Sequence, residues 1–147
     1  MHTHTPLASR AGVTLVELCL VLALVGILAS IATRQITRYL DRAAARAAVA
    51  EAATVVLRAR DDAMAQRTPV SVRIDTTTAA LELSARGVVL ARAALGHAHG
   101  VALSATRDSL TYDVRGLGYG AANLTMVARR GAAAESLVVS RLGRVRW

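Results

Sequence analysis

A run of 21 residues, Val13 to Thr33, carries a single charge, Glu17, and constrains this chain more than any other feature. As a helix rising about 1.5 Å per residue, such a run spans about 31 Å, the thickness of a bilayer core. Leu18 to Ala32 is uncharged throughout, and Gly26 is a residue that membrane helices tolerate. The helical pattern does not stop there. From Arg34 to about Gln66 the chain is rich in Ala, Arg and Leu and contains no Pro or Gly. Val49, Ala52, Ala53, Val56 and Leu57 recur at helical spacing as one apolar stripe. Arg58 faces Asp61 and Asp62 across one turn, and Pro69 marks the end. The pattern predicts one helix over 13–66, apolar all round in its first half and amphipathic in its second.

After Pro69 the hydrophobic period falls from about 3.6 to 2. Val70, Val72 and Ile74 alternate with polar residues, and so do Leu81 with Leu83 and Val88 with Leu90. Leu110, Tyr112 and Val114 follow, then Leu124 with Met126, Leu137 with Val139, and Val145 with Trp147. Seven or eight short strands in one or two antiparallel sheets are expected over 67–147, packed on the amphipathic half of the helix. The class is α+β. So small a β region needs the helix for its core.

The formal charge is +8, carried by 18 basic residues that are all Arg. A solvated surface and an anionic partner both suit that balance. Aromatic residues make up 3% and Phe is absent, which argues against a base-stacking platform. The lone Cys19 excludes an intrachain disulfide and reads as a small packing residue. His97 and His99 would share one side of an extended segment, but no nearby ligand set completes a metal site. Asp61 and Asp62 lie on different helix faces and form no acid/base pair, and no nucleophile elbow or triad spacing is present. The glycines 116, 118 and 120 do not make a dinucleotide fingerprint. No catalytic residue, cofactor or metal is expected.

Residues 1–33 admit three readings: a signal peptide cut near Ala32, a plain membrane anchor, or a leader followed by an assembly helix. Glu17 separates them. A carboxylate in an apolar helix costs a few kcal/mol on insertion. That cost makes sense if the acid meets a cation after assembly. A cut after Gly12 would create one, the new α-amino group of Val13, four residues before Glu17.

The stretch Gly12-Val13-Thr14-Leu15-Val16-Glu17-Leu18, followed by Val25-Gly26-Ile27-Leu28-Ala29, resembles the type IV prepilin family. The resemblance implies a pilin fold and a leader at 1–12 removed by a prepilin peptidase after Gly12. It further implies methylation of Val13, and Glu17 as the assembly carboxylate that pairs with a neighbouring subunit's amine. It places the chain in the bacterial inner membrane, N-terminus inside, and then in a periplasmic pseudopilus or a surface pilus built with other pilin subunits. Val13 stands where the family usually has Phe, implying slower processing at most. Arg34 stands where many members have Pro, so their kink does not carry over. Arg34, Arg38, Arg42 and Arg46 follow the apolar run at i+4 spacing, against the positive-inside rule for that orientation. A solvated face, lipid phosphates or acidic groups on packed neighbours would each suit that stripe.

The C-terminal half resembles the GspH/FimT branch of minor pilins and pseudopilins. The resemblance rests on Ala59-Arg60-Asp61-Asp62-Ala63, Val70-Ser71-Val72, Leu110-Thr111-Tyr112-Asp113, and the tail Leu137 to Arg146. Within that tail Gly143-Arg144-Val145-Arg146 matches a Gly-Arg-any-Arg motif implicated in DNA binding in some members. Arg129, Arg130, Arg141, Arg144 and Arg146 face one acid, Glu135, over 129–147. Two arginines on one side of a strand would suit phosphate oxygens without reading sequence, and an edge strand kept soluble by charge suits the same residues. The rival outside this class is a periplasmic β-domain protein or enzyme behind an ordinary signal peptide or anchor.

Overall fold

The computed structural model describes residues 12–119 and 123–147. Helix α1 runs Leu15–Ala65, 51 residues or about 77 Å of helix. Of the leader expected at residues 1–12, all but Gly12 lies outside the described residues. The described chain divides into a unit ending at Ile36 and a unit Thr37–Trp147.

In the first unit α1 is long and apolar enough to cross a membrane. Its large side chains, from Val13 through Leu20, Leu24 and Ile27 to Ile36, are all exposed, and so is Cys19. None of the described residues buries this segment. An apolar surface of that extent calls for lipid or other helices around it.

The second unit holds the rest of α1, a short helix α2 (Leu95–His99) and eight strands. These are β1 (Val70–Asp75), β2 (Ala80–Ala85), β3 (Val88–Ala93), β4 (Ala102–Ala105), β5 (Ser109–Tyr112), β6 (Leu124–Arg130), β7 (Ala133–Val139) and β8 (Val145–Arg146). They form two four-stranded sheets, ordered β3-β2-β1-β5 and β4-β6-β7-β8, and every pairing is antiparallel. The α+β class is therefore as expected.

Period 2 works as physics predicts in the central strands. Val70, Val72 and Ile74 of β1 point inward, as do Leu81 and Leu83 of β2 and Leu124, Met126 and Ala128 of β6. Their partners from α1 are Ala48, Val49, Ala52, Ala53, Val56, Ala59 and Ala63, joined with both sheets in one hydrophobic cluster. Alanine at the contact face is buried at no side-chain entropy cost.

Several sequence expectations need correction. Leu57 is 38% exposed, because the buried stripe continues through Ala59 and Ala63 instead. Arg58 reaches Asp62 at 3.6 Å rather than Asp61. Val88, Val89 and Leu90 stay exposed, since β3 is an edge strand whose register shifts between Leu83 and Ser84 on its partner. Val114 and Trp147 lie beyond the ends of β5 and β8, and both are exposed. Strand β4 and helix α2 were not legible. His97 and His99 stand on the helical turn of α2, where residues two apart face apart, so no extended pair forms. His99 Nε2 instead sits 2.7 Å from Glu51 Oε2 on α1.

Tyr112 is fully buried, and its hydroxyl has no partner among the described residues. Burial pushes its pKa up to about 12, opposed by the charge of Arg60. An unsatisfied buried hydroxyl costs about 1–3 kcal/mol. Tyr112→Phe is therefore expected to stabilise the full chain in detergent by about 1 kcal/mol, read from its denaturation curve. Destabilisation would show that the hydroxyl is solvated.

Candidate functional site

The N-terminal residues expected to serve processing and assembly sit at the start of α1. Gly12, Val13 and Thr14 precede the helix, and Thr14 caps it. Thr14 Oγ1 accepts from the Glu17 N–H at 3.2 Å, and Thr14 O accepts from the Leu18 N–H at 3.1 Å. Thr14-x-x-Glu17 is thus a capping-box sequence, a signal that the sequence reading missed. Glu17 lies in the first turn, where the helix dipole favours a negative group. Its carboxylate has no ion-pair partner among the described residues. Capping accounts for an acid at this position in the separate chain.

The tail arginines sit on the β7–β8 hairpin. Ser140 O accepts from the Gly143 N–H at 2.9 Å, and the Ser140 N–H donates to Arg144 O at 2.8 Å. Ser140 Oγ accepts from the Arg144 N–H at 3.1 Å, and Asn123 Oδ1 accepts from the Arg141 N–H at 3.1 Å. Val145 packs on the core, so Arg144 and Arg146 fall on the opposite, exposed side. Arg141, Arg144 and Arg146 line one groove of about 370 Å³ with Asn123 and Val138, and no acid lines it.

A second groove of about 720 Å³ shares Arg141 and adds Asp113, Arg115, Leu142 and Tyr119. Tyr119 is 78% exposed. Asp113 is occupied: it accepts from the Leu117 and Arg115 N–H groups at 2.9 Å each, and from Arg115 Nη2 at 2.9 Å. The Leu117 N–H, followed by the Arg115 guanidinium, holds its carboxyl below the usual range. Arg115 and Tyr119 escaped the sequence reading because they belong to a turn with no periodic signal.

Arg129 and Arg130 lie elsewhere. Leu124 is in register with Val139, and Val139 with Val145, so Arg129 is about 17 Å along β6 from the row that carries the hairpin. Arg130 is also engaged: Nη1 donates to His99 O at 2.7 Å and Nε lies 3.2 Å from Asp41 Oδ1. The five arginines of the tail region therefore split into a trio and a distant pair.

The glycine of Gly143-Arg144-Val145-Arg146 has its own geometry. Gly143 is buried with φ +75°, and an added Cβ would lie 3.2 Å from Gly116 O and 3.3 Å from Arg60 Nε. Gly116 O accepts from Arg60 Nε at 3.1 Å. Helix α1 thus anchors, through Arg60, the turn that carries Arg115, and Gly143 leaves room for that tie beside it. Gly143→Ala is expected to cost about 1–2 kcal/mol from backbone strain alone, measured by denaturant unfolding of the full chain. A change within a few tenths of a kcal/mol would mean that the turn relaxes freely.

No protein-family model matches the sequence, and no curated protein does. Solved structures do. The chain is similar to the type IV minor pilin FimU of Pseudomonas aeruginosa in two crystal forms, with TM-scores of 0.62 and 0.58 at 17% and 16% identity. These matches cover 74% and 69% of this chain and 90% of FimU in each case. It is also similar to EpsH, a minor pseudopilin from the type 2 secretion system of Vibrio cholerae, with a TM-score of 0.56 at 16% identity, over 69% of this chain and 94% of EpsH. The chain therefore has the type IV pilin-like fold that these minor pilin and minor pseudopilin structures share.

Proposed function

We propose that the chain is a minor subunit of a type IV pilus or a type II secretion pseudopilus, held in the inner membrane and then in the filament by the apolar half of α1. One observation carries this reading: a pilin fold whose helix leaves every large apolar side chain from Val13 to Ile36 uncovered. A bilayer and a bundle of like helices both satisfy such a surface, and a subunit passes from one to the other. The signal-peptide rival fares worse, because a cut near Ala32 would fall in the middle of a continuous helix that contributes to the core further on.

In this reading a peptidase removes the leader after Gly12, and Val13 becomes the methylated terminus. Glu17 then pairs with the terminal amine of a neighbouring subunit. Packing and one buried ion pair constitute the chemistry. Glu17→Leu is expected to lower incorporation into filaments about tenfold, the value of roughly 1.4 kcal/mol, as read by immunoblot of sheared filaments. Thr14→Ala, which removes only the cap, should leave incorporation near wild type. Normal incorporation of Glu17→Leu would sink the pairing.

A second reading is favoured by the acid-free groove of Arg141, Arg144 and Arg146: contact with DNA phosphates. Such contact is insensitive to sequence and weakens steeply with salt, by about one unit of log–log slope per phosphate contact. Replacing both Arg144 and Arg146 by Gln should reduce that slope by about 2 in a gel-shift titration. An unchanged slope would leave the arginines as solvated charges on an edge strand.

A further inference from the structure

The β6–β7 turn meets α1 at a small basic pocket. Arg38, Asp41 and Arg42 of α1 line it with Ala132 and Ala133, around a volume of about 240 Å³. That is roughly the share of eight waters, enough for a phosphate and its substituents. Asp41 does not neutralise the two α1 arginines. Its Oδ1 is held by Arg130 Nε at 3.2 Å, and its other oxygen packs against Gly131, which adopts φ +53°. Arg46, one turn further on, is paired with Glu135 at 3.0 Å. Arg38 and Arg42 are exposed and have no acidic partner among the described residues. The pocket therefore combines two uncommitted guanidinium groups with small, unobstructing walls.

Position along α1 says which anion it meets. Arg38 lies within two helical turns of Thr33, where the apolar run ends, and Arg42 one turn beyond. The headgroup layer adds about 5–8 Å to each face of the hydrocarbon core. Arginine's long stem lets its head reach toward a polar layer from a distance. Five and nine residues past the run, both arginines are juxtamembrane in sequence, the position in which basic side chains meet anionic headgroups. They also stand on the face where the positive-inside rule disfavours them.

We propose that this pocket binds the phosphate of an anionic phospholipid headgroup while the subunit resides in the membrane. The bound lipid neutralises Arg38 and Arg42 on the outer face. The proposal rests on the membrane-resident reading given above. Bidentate guanidinium–phosphate pairing provides the attachment, and the alanines of the turn provide the room.

Native mass spectrometry of the full chain in neutral detergent tests it, with phosphatidylglycerol or phosphatidylcholine added. Wild type is expected to retain phosphatidylglycerol in clear preference to phosphatidylcholine. The double variant Arg38→Gln with Arg42→Gln should lose about tenfold of that retention. Arg107→Gln, an exposed arginine in the β4–β5 loop, should keep it. Arg38→Lys with Arg42→Lys, which keeps the charge but loses the bidentate fork, should fall between wild type and the glutamine variant, which separates lost charge from lost folding. Equal retention of the two lipids, or no effect of the glutamine variant, would overturn the proposal. So would displacement by millimolar inorganic phosphate alone, which marks a free-anion site. A glutamine variant that keeps its lipid but fails to enter filaments would assign the arginines to a neighbouring subunit's acids and overturn it as well. If the chain failed to enter phosphatidylcholine vesicles at all, the membrane-resident reading itself would fall, and this proposal with it.

Discussion

Burial of an alanine-rich helix stripe against two sheets is the contact on which the second unit depends. Ala48, Ala52, Ala53, Ala59 and Ala63 bring little apolar area each, but with Val49 and Val56 they share one buried cluster with Val70, Val72, Leu81, Leu83, Leu124 and Met126. Neither sheet has another face of this kind to share. A four-stranded sheet with one apolar side needs a cover, and the same helix serves both. The helix in turn gains most of its stability from this packing rather than from propensity.

Polar contacts then locate the functional surfaces relative to that core. Arg60 projects from α1 to Gly116 O, and the close approach of Gly143 to the same groups seats the β7–β8 hairpin beside the Asp113–Gly118 turn. Arg130 does a similar task at the other end of β6, binding Asp41 of α1 and the His99 carbonyl of α2. Glu51 holds His99 from the helix side. The arginines that serve as ties are thereby distinguished from those left facing solvent. That distinction, rather than the total of +8, decides where an anion can bind. Exposed arginines gather in separate places, among them the hairpin trio with Arg115, and Arg38 with Arg42 beside the β6–β7 turn.

Glu17 shows how one residue can answer two demands. In the separate chain it occupies the third position after the Thr14 cap, where the dipole favours an acid. Within a bundle of apolar helices the same carboxylate would lose water and need a cation. The first role needs only local sequence, and the second needs a neighbour.

Much was legible in the sequence because its signals are local and periodic. The apolar run from Val13, the stripe around Val49 to Val56, and the period-2 strands around Val72, Leu83, Met126 and Leu137 follow from burial on one face of a helix or strand. The resemblance at Gly12 to Glu17 needed only contiguous residues. What stayed hidden depends on contacts distant in the chain. Leu57 and Val88 read as core yet face solvent, because helix phase and edge position are set by what packs opposite. Helix α2 is seated where a Cβ on Gly96 would clash with Thr78 O at 2.8 Å and Ala79 Cβ at 2.9 Å, and where Glu51 meets His99. Composition placed five tail arginines in one group, whereas strand register put Arg129 and Arg130 at the far end of β6. The sequence by itself determined the elements and the sign of the charge, since hydrophobic period and residue type are local properties. Only the tertiary structure decided which charges are spent on the fold and which remain for a partner, because that depends on which acids and carbonyls the chain brings within reach.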